Sequence, residues 1–240
     1  MKGYSNYIFD LYGTLVDILT DEEDPRHHEL CSAWYSEHGA RYEPAEFRSE
    51  YLRLCAEEQS ENPDPLYEFD IRRVFRSLYA EKGIEADHRL VEETAVFFRI
   101  TSLKKLRLYP WVVPVFERIR RKGSGIYLLS NAQAAFTLPE LRLLGIADSF
   151  DGIVISSEAG VRKPSPLIMR KLLERYGLDP AGAVMTGNDR LTDIACAGAF
   201  GMDSFYIRTA TSGSGSLPRA KFELLDENYA ELPHMLGLGE

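Results

Sequence analysis

The stretch Ser5-Asn6-Tyr7-Ile8-Phe9-Asp10-Leu11-Tyr12-Gly13-Thr14-Leu15-Val16-Asp17 decides how this chain is read. Residues 5–9 predict a short strand that ends at Asp10, and Gly13 marks a turn directly after it. The next stretch holds no partner for that strand. From about residue 22 to 105 the pattern is helical. Asp24-Pro25 reads as a helix cap followed by a first-turn proline; Leu30, Trp34 and His38 recur at four-residue intervals, and Gly39 closes the helix. Pro44 opens a second helix with Phe47, Tyr51 and Cys55 on one face, and residues 60–65 form a loop. Ile71, Val74, Phe75 and Leu78 make a third apolar stripe ended by Gly83; Leu90, Val91, Thr94, Ala95 and Phe98 make a fourth. No strand is expected in this block.

Beyond Tyr109-Pro110 the rhythm alternates. Helices are expected over 110–122, 137–144, 164–176 and 191–200, and strands over 125–129, 152–155, 183–186 and 204–207. Residues 211–216 read as a loop, 222–225 as a late strand and 229–236 as a terminal helix. Repeated strand–helix units imply a parallel sheet covered on both faces. The first strand stands apart from the others, so the economical reading is one α/β core built from residues 1–16 and 106–240, with a helical domain, 17–105, inserted into it.

Composition fits that reading. The chain has 240 residues, 45% apolar and 27% charged, the profile of an ordinary globular protein rather than a disordered one. No apolar run approaches the roughly 18 residues of a membrane span. The opening Met1-Lys2-Gly3 runs straight toward the first strand without a secretory pattern, so a cytoplasmic location is expected. The net charge of −9 argues against a nucleic-acid partner, and the basic clusters Lys104-Lys105-Leu106-Arg107 and Arg118-Ile119-Arg120-Arg121-Lys122 read as solvated helix faces. Cys31, Cys55 and Cys196 show no ligand spacing and suit small apolar fillers in a reducing compartment.

In an open parallel sheet, ligands bind beyond the carboxyl ends of the strands. There this chain places Asp10 and Thr14 after the first strand, Ser130-Asn131 after the second, Lys163 before a helix, and Asn188-Asp189 with Asp193 after a later strand. A carboxylate can attack phosphorus and form an aspartyl-phosphate. Two anions repel, so a divalent cation is expected between them. Mg²⁺ suits a hard oxygen shell with few carboxylates, here Asp10, the backbone carbonyl of Tyr12 and Asp189, with Asn188 as the alternative to Asp189. Lys163 balances charge, and Thr14 and Ser130 are placed to bind phosphoryl oxygens.

Phe9-Asp10-Leu11-Tyr12-Gly13-Thr14-Leu15-Val16-Asp17, Leu129-Ser130-Asn131, Arg162-Lys163-Pro164-Ser165-Pro166 and Thr186-Gly187-Asn188-Asp189-Arg190-Leu191-Thr192-Asp193 resemble the four motifs of the haloacid dehalogenase (HAD) superfamily. The resemblance extends over nearly the whole chain. It implies a Rossmann-like core with a helical cap inserted after the first motif, an aspartate nucleophile at Asp10, catalytic Lys163, phosphate binding by Thr14, Ser130 and Asn131, a supporting Asp193, and usually Mg²⁺. Most such enzymes are phosphatases of small phosphate esters, so a small phosphorylated metabolite is the expected substrate.

Two departures shape the alternatives. The phosphatase pattern carries an acid–base aspartate two residues after the nucleophile, where this chain has Tyr12. Haloacid dehalogenases resemble it there: they too carry tyrosine, halide leaves without a proton, and no metal is needed. Against that, dehalogenases have a Ser/Asn-rich fourth motif and a tyrosine shortly after the lysine, whereas this chain keeps Asp189 and Asp193 and has no tyrosine in residues 164–170. A third reading is a catalytically weakened member that binds a phosphate ligand or a protein. In the inserted block His27, His28, Trp34 and Arg41 read first as surface or core residues and second as substrate contacts.

Overall fold

The structure, a computed structural model, describes residues 3–226 and 228–239; Met1 and Lys2, with which the secretory reading begins, lie outside them. The elements in chain order are β1 (Asn6–Phe9), β2 (Val16–Thr20), α1 (Pro25–Glu37), α2 (Pro44–Ser60), α3 (Ile71–Ala80), α4 (His88–Ser102) and β3 (Leu103–Leu108). Then follow α5 (Val112–Arg121), β4 (Gly125–Ser130), α6 (Ala134–Leu143), β5 (Gly152–Ile155), α7 (Ser156–Ala159) and α8 (Pro166–Tyr176). The chain continues through β6 (Ala183–Gly187), a wide turn (Arg190–Ile194), α9 (Ala195–Gly198), β7 (Asp203–Ile207), β8 (Phe222–Leu224) and α10 (Leu232–Met235).

Six strands form a parallel sheet in the order β5-β4-β1-β6-β7-β8. The first strand is thus central: Phe9 lies between Leu128 of β4 and Thr186 of β6. Alternation along β1 explains this position. Tyr7 and Phe9 enter one buried layer with Val115, Phe116, Ile126 and Leu128, while Ile8 enters the opposite layer with Leu129, Ile168, Leu172 and Met185. Both faces are apolar because helices cover both.

The helical block folds as four helices around Tyr35, Phe47, Val74, Phe75, Leu78, Tyr79 and Phe98. Asp24, Asp70 and Asp87 cap α1, α3 and α4 through backbone N–H groups. The same cluster takes in Ala135 and Phe136 of α6, and Phe136 stacks on Phe98 at 6.0 Å. One apolar core therefore spans the helical unit and the first turns of α6.

Three expectations need correction. Lys104, Lys105 and Arg107 lie on β3, not on a helix; β3 pairs antiparallel with β2 and joins the helical unit to the core. The cause is cross-strand pairing, with Asp17 of β2 held by Lys105 at 2.9 Å and Arg107 at 2.8 Å. Residues 191–200 do not form one helix, because Arg190–Ile194 is a wide π turn that precedes the short α9. Finally, α6 starts at Ala134 rather than 137, where Ser157 Oγ accepts from Ala134 N at 2.9 Å.

His27 is buried within the helical unit, hydrogen-bonded to Thr101 and packed against Phe98, so burial holds its imidazole neutral and pulls its pKa from 6.5 to about 4. A depressed histidine pKa means the unfolded chain takes up a proton before the folded one does. Stability should therefore fall as pH drops from about 6.5 toward 4, by at most about 3 kcal/mol at the lower end. Urea unfolding at pH 7 and pH 4 checks this; His27→Gln should lose that part of the difference.

Candidate active site

The site sits at the carboxyl ends of β1, β4 and β6. Asp10 follows β1 and its N–H donates to the Thr186 carbonyl at 2.9 Å. The chain then reverses over Gly13, whose φ of +82° excludes most side chains, and a Cβ there would collide with Asn188 and Thr211. This turn brings Thr14 back beneath Asp10: its hydroxyl lies 3.1 Å from Asp10 Oδ2 and 3.2 Å from Asn188 Oδ1.

Lys163 is the electrostatic centre. Its ammonium donates to Asp10 Oδ1 at 2.7 Å, Asp193 Oδ1 at 2.7 Å and the Leu129 carbonyl at 2.8 Å. All three N–H groups are used. The side chain is only 2% exposed, so an unpaired charge here would be prohibitive. Burial works against the ammonium, but Asp10 and Asp193 outweigh it and hold Lys163 protonated. Burial pushes the Asp193 carboxyl up to about 7, against the pull of Lys163. The two shifts pull opposite ways, since one favours the charged pair and the other a neutral acid. The short contacts at both carboxylates favour the charged pair.

Other predicted residues support or face this centre. Asn131 uses its amide on the Lys163 backbone, accepting from Lys163 N at 2.7 Å and donating to Lys163 O at 3.0 Å. Ser130 Oγ is buried and has no hydrogen-bond partner among the described residues; such a hydroxyl is costly unless a ligand completes it. Asp193 Oδ2 accepts from Asp189 N at 3.0 Å, and its carboxylate lies so close to Gly187 that a Cβ there would overlap it. Of the two residues weighed as metal ligand, Asn188 is the one whose side chain reaches the Asp10–Thr14 pair. The Asp189 carboxylate instead caps the wide turn, accepting from Leu191 N and Thr192 N.

No His, Cys, Asp or Glu group of three or more is arranged to hold a metal among the described residues. The Asn188 amide oxygen meets the Asp10 carboxylate across the Thr14 hydroxyl, and the Tyr12 carbonyl belongs to the chain two residues after Asp10. One carboxylate with neutral oxygens is a donor set that fits Mg²⁺, which keeps waters and takes few protein ligands.

The Tyr12 side chain is committed elsewhere. Its hydroxyl donates to the Glu140 carboxylate of α6 and lies 3.0 Å from Thr137 Oγ1. Glu140 in turn accepts from Arg99 Nε of α4 at 2.6 Å, and Arg99 covers the Tyr12 and Phe136 rings. Burial, then the Glu140 charge, raise the Tyr12 phenol well above its ordinary range. Arg99 and Glu140 carry no motif; 41 residues separate them, and only the docking of α4 on α6 joins them. A second contact runs from the loop before α3: Tyr67 bridges Val161, Arg162 N donates to Leu66 O, and Gln133 binds Glu68 and the backbone of Phe69 and Ile71. The residues singled out in the helical block lie apart from Asp10's partners. His27 is buried inside the unit, His28 bonds the Glu22 carbonyl, Trp34 donates to Tyr79 and Thr94, and Arg41 is exposed.

A parallel sheet with a buried carboxylate–lysine pair at its central strand end defines an α/β protein with a candidate active site at that edge. The chain belongs to the haloacid dehalogenase-like hydrolases, whose family model matches residues 4–201. Among curated relatives, a glyceraldehyde 3-phosphate phosphatase of Pyrococcus furiosus is 25% identical over 98% of this chain and 93% of its own. Another, of Methanopyrus kandleri, is 32% identical over 57% of this chain and 58% of its own. A phosphoserine phosphatase of Thermus thermophilus is 31% identical over 56% of this chain and 53% of its own. The chain thus spans a little over half the length of the latter two. A solved 2-haloacid dehalogenase from Pseudomonas syringae pv. Tomato shares the fold with a TM-score of 0.68 at 23% identity, over 98% of each chain. A HAD phosphatase from Thermococcus onnurineus does so with 0.61 at 21% identity, over 97% of this chain and 98% of its own. No described helix is long and apolar enough to cross a membrane.

Removing the central cation should be severe. Lys163→Met leaves two carboxylates buried without a counter-charge, and urea unfolding at pH 7 should show a loss of about 3–5 kcal/mol. The Tyr12 bond to a charged acceptor is expected to contribute about 1.5–3 kcal/mol. Tyr12→Phe measures it, and a double-mutant cycle with Arg99→Met should show coupling of about 1 kcal/mol.

Proposed function

We propose that the protein is a Mg²⁺-dependent phosphatase of a small phosphorylated metabolite, acting through an aspartyl-phosphate on Asp10, with the helical unit, within residues 17–105, serving as the cap. The observation that carries this reading is the pairing of Asp10 with Lys163, whose ammonium also meets the carbonyl of Leu129, the residue before Ser130, a buried hydroxyl with no hydrogen-bond partner among the described residues. Asp10 is aimed by Lys163 and Thr14, which hold its two oxygens apart. Lys163 keeps attacking carboxylate and phosphoryl group from repelling each other. Ser130 and Thr14 receive phosphoryl oxygens, where transition-state charge collects. Asn131 holds the Lys163 backbone, and Asp193 anchors its ammonium. The Asp10 carboxylate, Tyr12 carbonyl and Asn188 amide oxygen would hold Mg²⁺, which when bound neutralises charge between the two anions. Relatives named as phosphatases of glyceraldehyde 3-phosphate and phosphoserine support a small phosphorylated compound as substrate.

A second reading, hydrolytic dehalogenation of a 2-haloacid, is favoured by Tyr12, which stands where an acid–base aspartate would, and by the Pseudomonas syringae likeness in fold.

One assay separates the two. Phosphate release from 4-nitrophenyl phosphate should depend on added Mg²⁺, stop with EDTA and fall to the buffer level in Asp10→Asn. Chloride release from 2-chloropropionate by EDTA-treated protein, without phosphatase activity, would replace the first reading with the second.

A further inference from the structure

Breaking a phosphate ester leaves a negative charge on the departing oxygen. A poor leaving group, such as an alkoxide, needs a proton from a side chain as the bond breaks; a carboxylate or an acidic phenolate does not. The proton donors around Asp10 can be taken one at a time. Each N–H of the Lys163 ammonium is already donated, to Asp10, Asp193 and Leu129. Thr14 and Ser130 are ordinary alcohols, too weakly acidic for the task at neutral pH. The Asn188 amide donates to Thr209 and Thr211, and Asn131 is spent on the Lys163 backbone. Both Asp193 oxygens are engaged, by Lys163 and by Asp189 N. Tyr12, two residues from Asp10, gives its hydroxyl proton to Glu140 in a contact that Arg99 locks from the helical unit.

Acids further out are engaged as well. Glu140 is paired with Arg99, and Glu68 accepts from Gln133 at 3.0 Å. The five histidines lie on or beside α1, on α4 and on α10, and none is bonded to Asp10, Thr14, Ser130 or Lys163 among the described residues.

We infer that this site selects phosphoryl compounds whose leaving group departs as a stable anion, acyl phosphates above all, and turns over alkyl phosphate monoesters poorly, because among the described residues the acidic side chains nearest Asp10 are bonded to other partners. The inference rests on the aspartyl-phosphate reading above. The step balances without a proton donor: an Asp10 oxygen forms a bond to phosphorus, the bond from phosphorus to the leaving oxygen breaks, and that oxygen keeps the electron pair and leaves as the anion. Water then attacks phosphorus, its two protons remain on the released dihydrogen phosphate, and the Asp10 carboxylate is regenerated.

The test is a leaving-group series on the full chain with Mg²⁺ present. Phosphate release is followed from acetyl phosphate and glycerol 1-phosphate, and from 2,4-dinitrophenyl, 4-nitrophenyl and phenyl phosphate, which differ little in shape. Asp10→Asn supplies the background rate. A missing general acid is worth about 10²–10⁴-fold, so kcat/KM should fall by at least about 100-fold from acetyl phosphate to glycerol 1-phosphate and steeply along the aryl series. Equal rates on the acyl and alkyl compounds, or a flat aryl series, would overturn the inference alone. Phosphate release from no member of the series above the Asp10→Asn background would overturn the aspartyl-phosphate reading and this inference with it.

Discussion

A single buried ammonium facing two carboxylates is the constraint on which the rest of this structure depends. Lys163 lies 2.7 Å from both Asp10 and Asp193 and is almost wholly removed from water. An ion cluster of this kind is tolerated only when every donor and acceptor is met. Much of the surrounding sequence does that work. Asn131 holds the lysine backbone, the Leu129 carbonyl takes its third proton, Asp189 N meets Asp193, and Gly187 leaves the space that the Asp193 carboxylate occupies. The ends of three adjacent strands are thereby held in one arrangement, with Asp10 at the middle.

A second network ties the helical unit to that centre. Arg99, Glu140 and Tyr12 form a chain from α4 through α6 to the turn that carries Asp10. Its polar atoms are satisfied within the chain, and the Phe98–Phe136 stack beside it continues the apolar core across the same seam. The side chain two residues after Asp10 is therefore spent on a contact with α6 and the helical unit. A tyrosine suits attachment because a long, rigid ring can reach α6, whereas an aspartate there would stop short.

Much of the candidate site's position was legible from residue types alone. Phe9-Asp10 ending a strand, Gly13 in the turn, Ser130-Asn131 after β4, and Lys163 before Pro164 all stand where an open parallel sheet exposes its strand ends. The β2–β3 ribbon was not legible: Leu103, Leu106 and Leu108 are too few to separate a strand from a helix, and the pairing of Asp17 with Lys105 and Arg107 joins residues about 90 apart in sequence. Nor was it legible that the Asn188 side chain, and not that of Asp189, reaches Thr14 beside Asp10. Chemistry alone prefers the carboxylate, but the turn after β6 needs a cap for two N–H groups, and Asp189 supplies it.

The sequence by itself determined the alternation that buries both faces of the sheet, the helical insertion, and the residue types at each strand end, because these follow from local periodicity and turn chemistry. Only the tertiary structure decided which side chains face Asp10, which spend their protons elsewhere, and that Arg99 and Glu140 take part at all. Those outcomes depend on distances between residues far apart in the chain, and a hydrogen bond lost or gained over an ångström has no trace in sequence spacing.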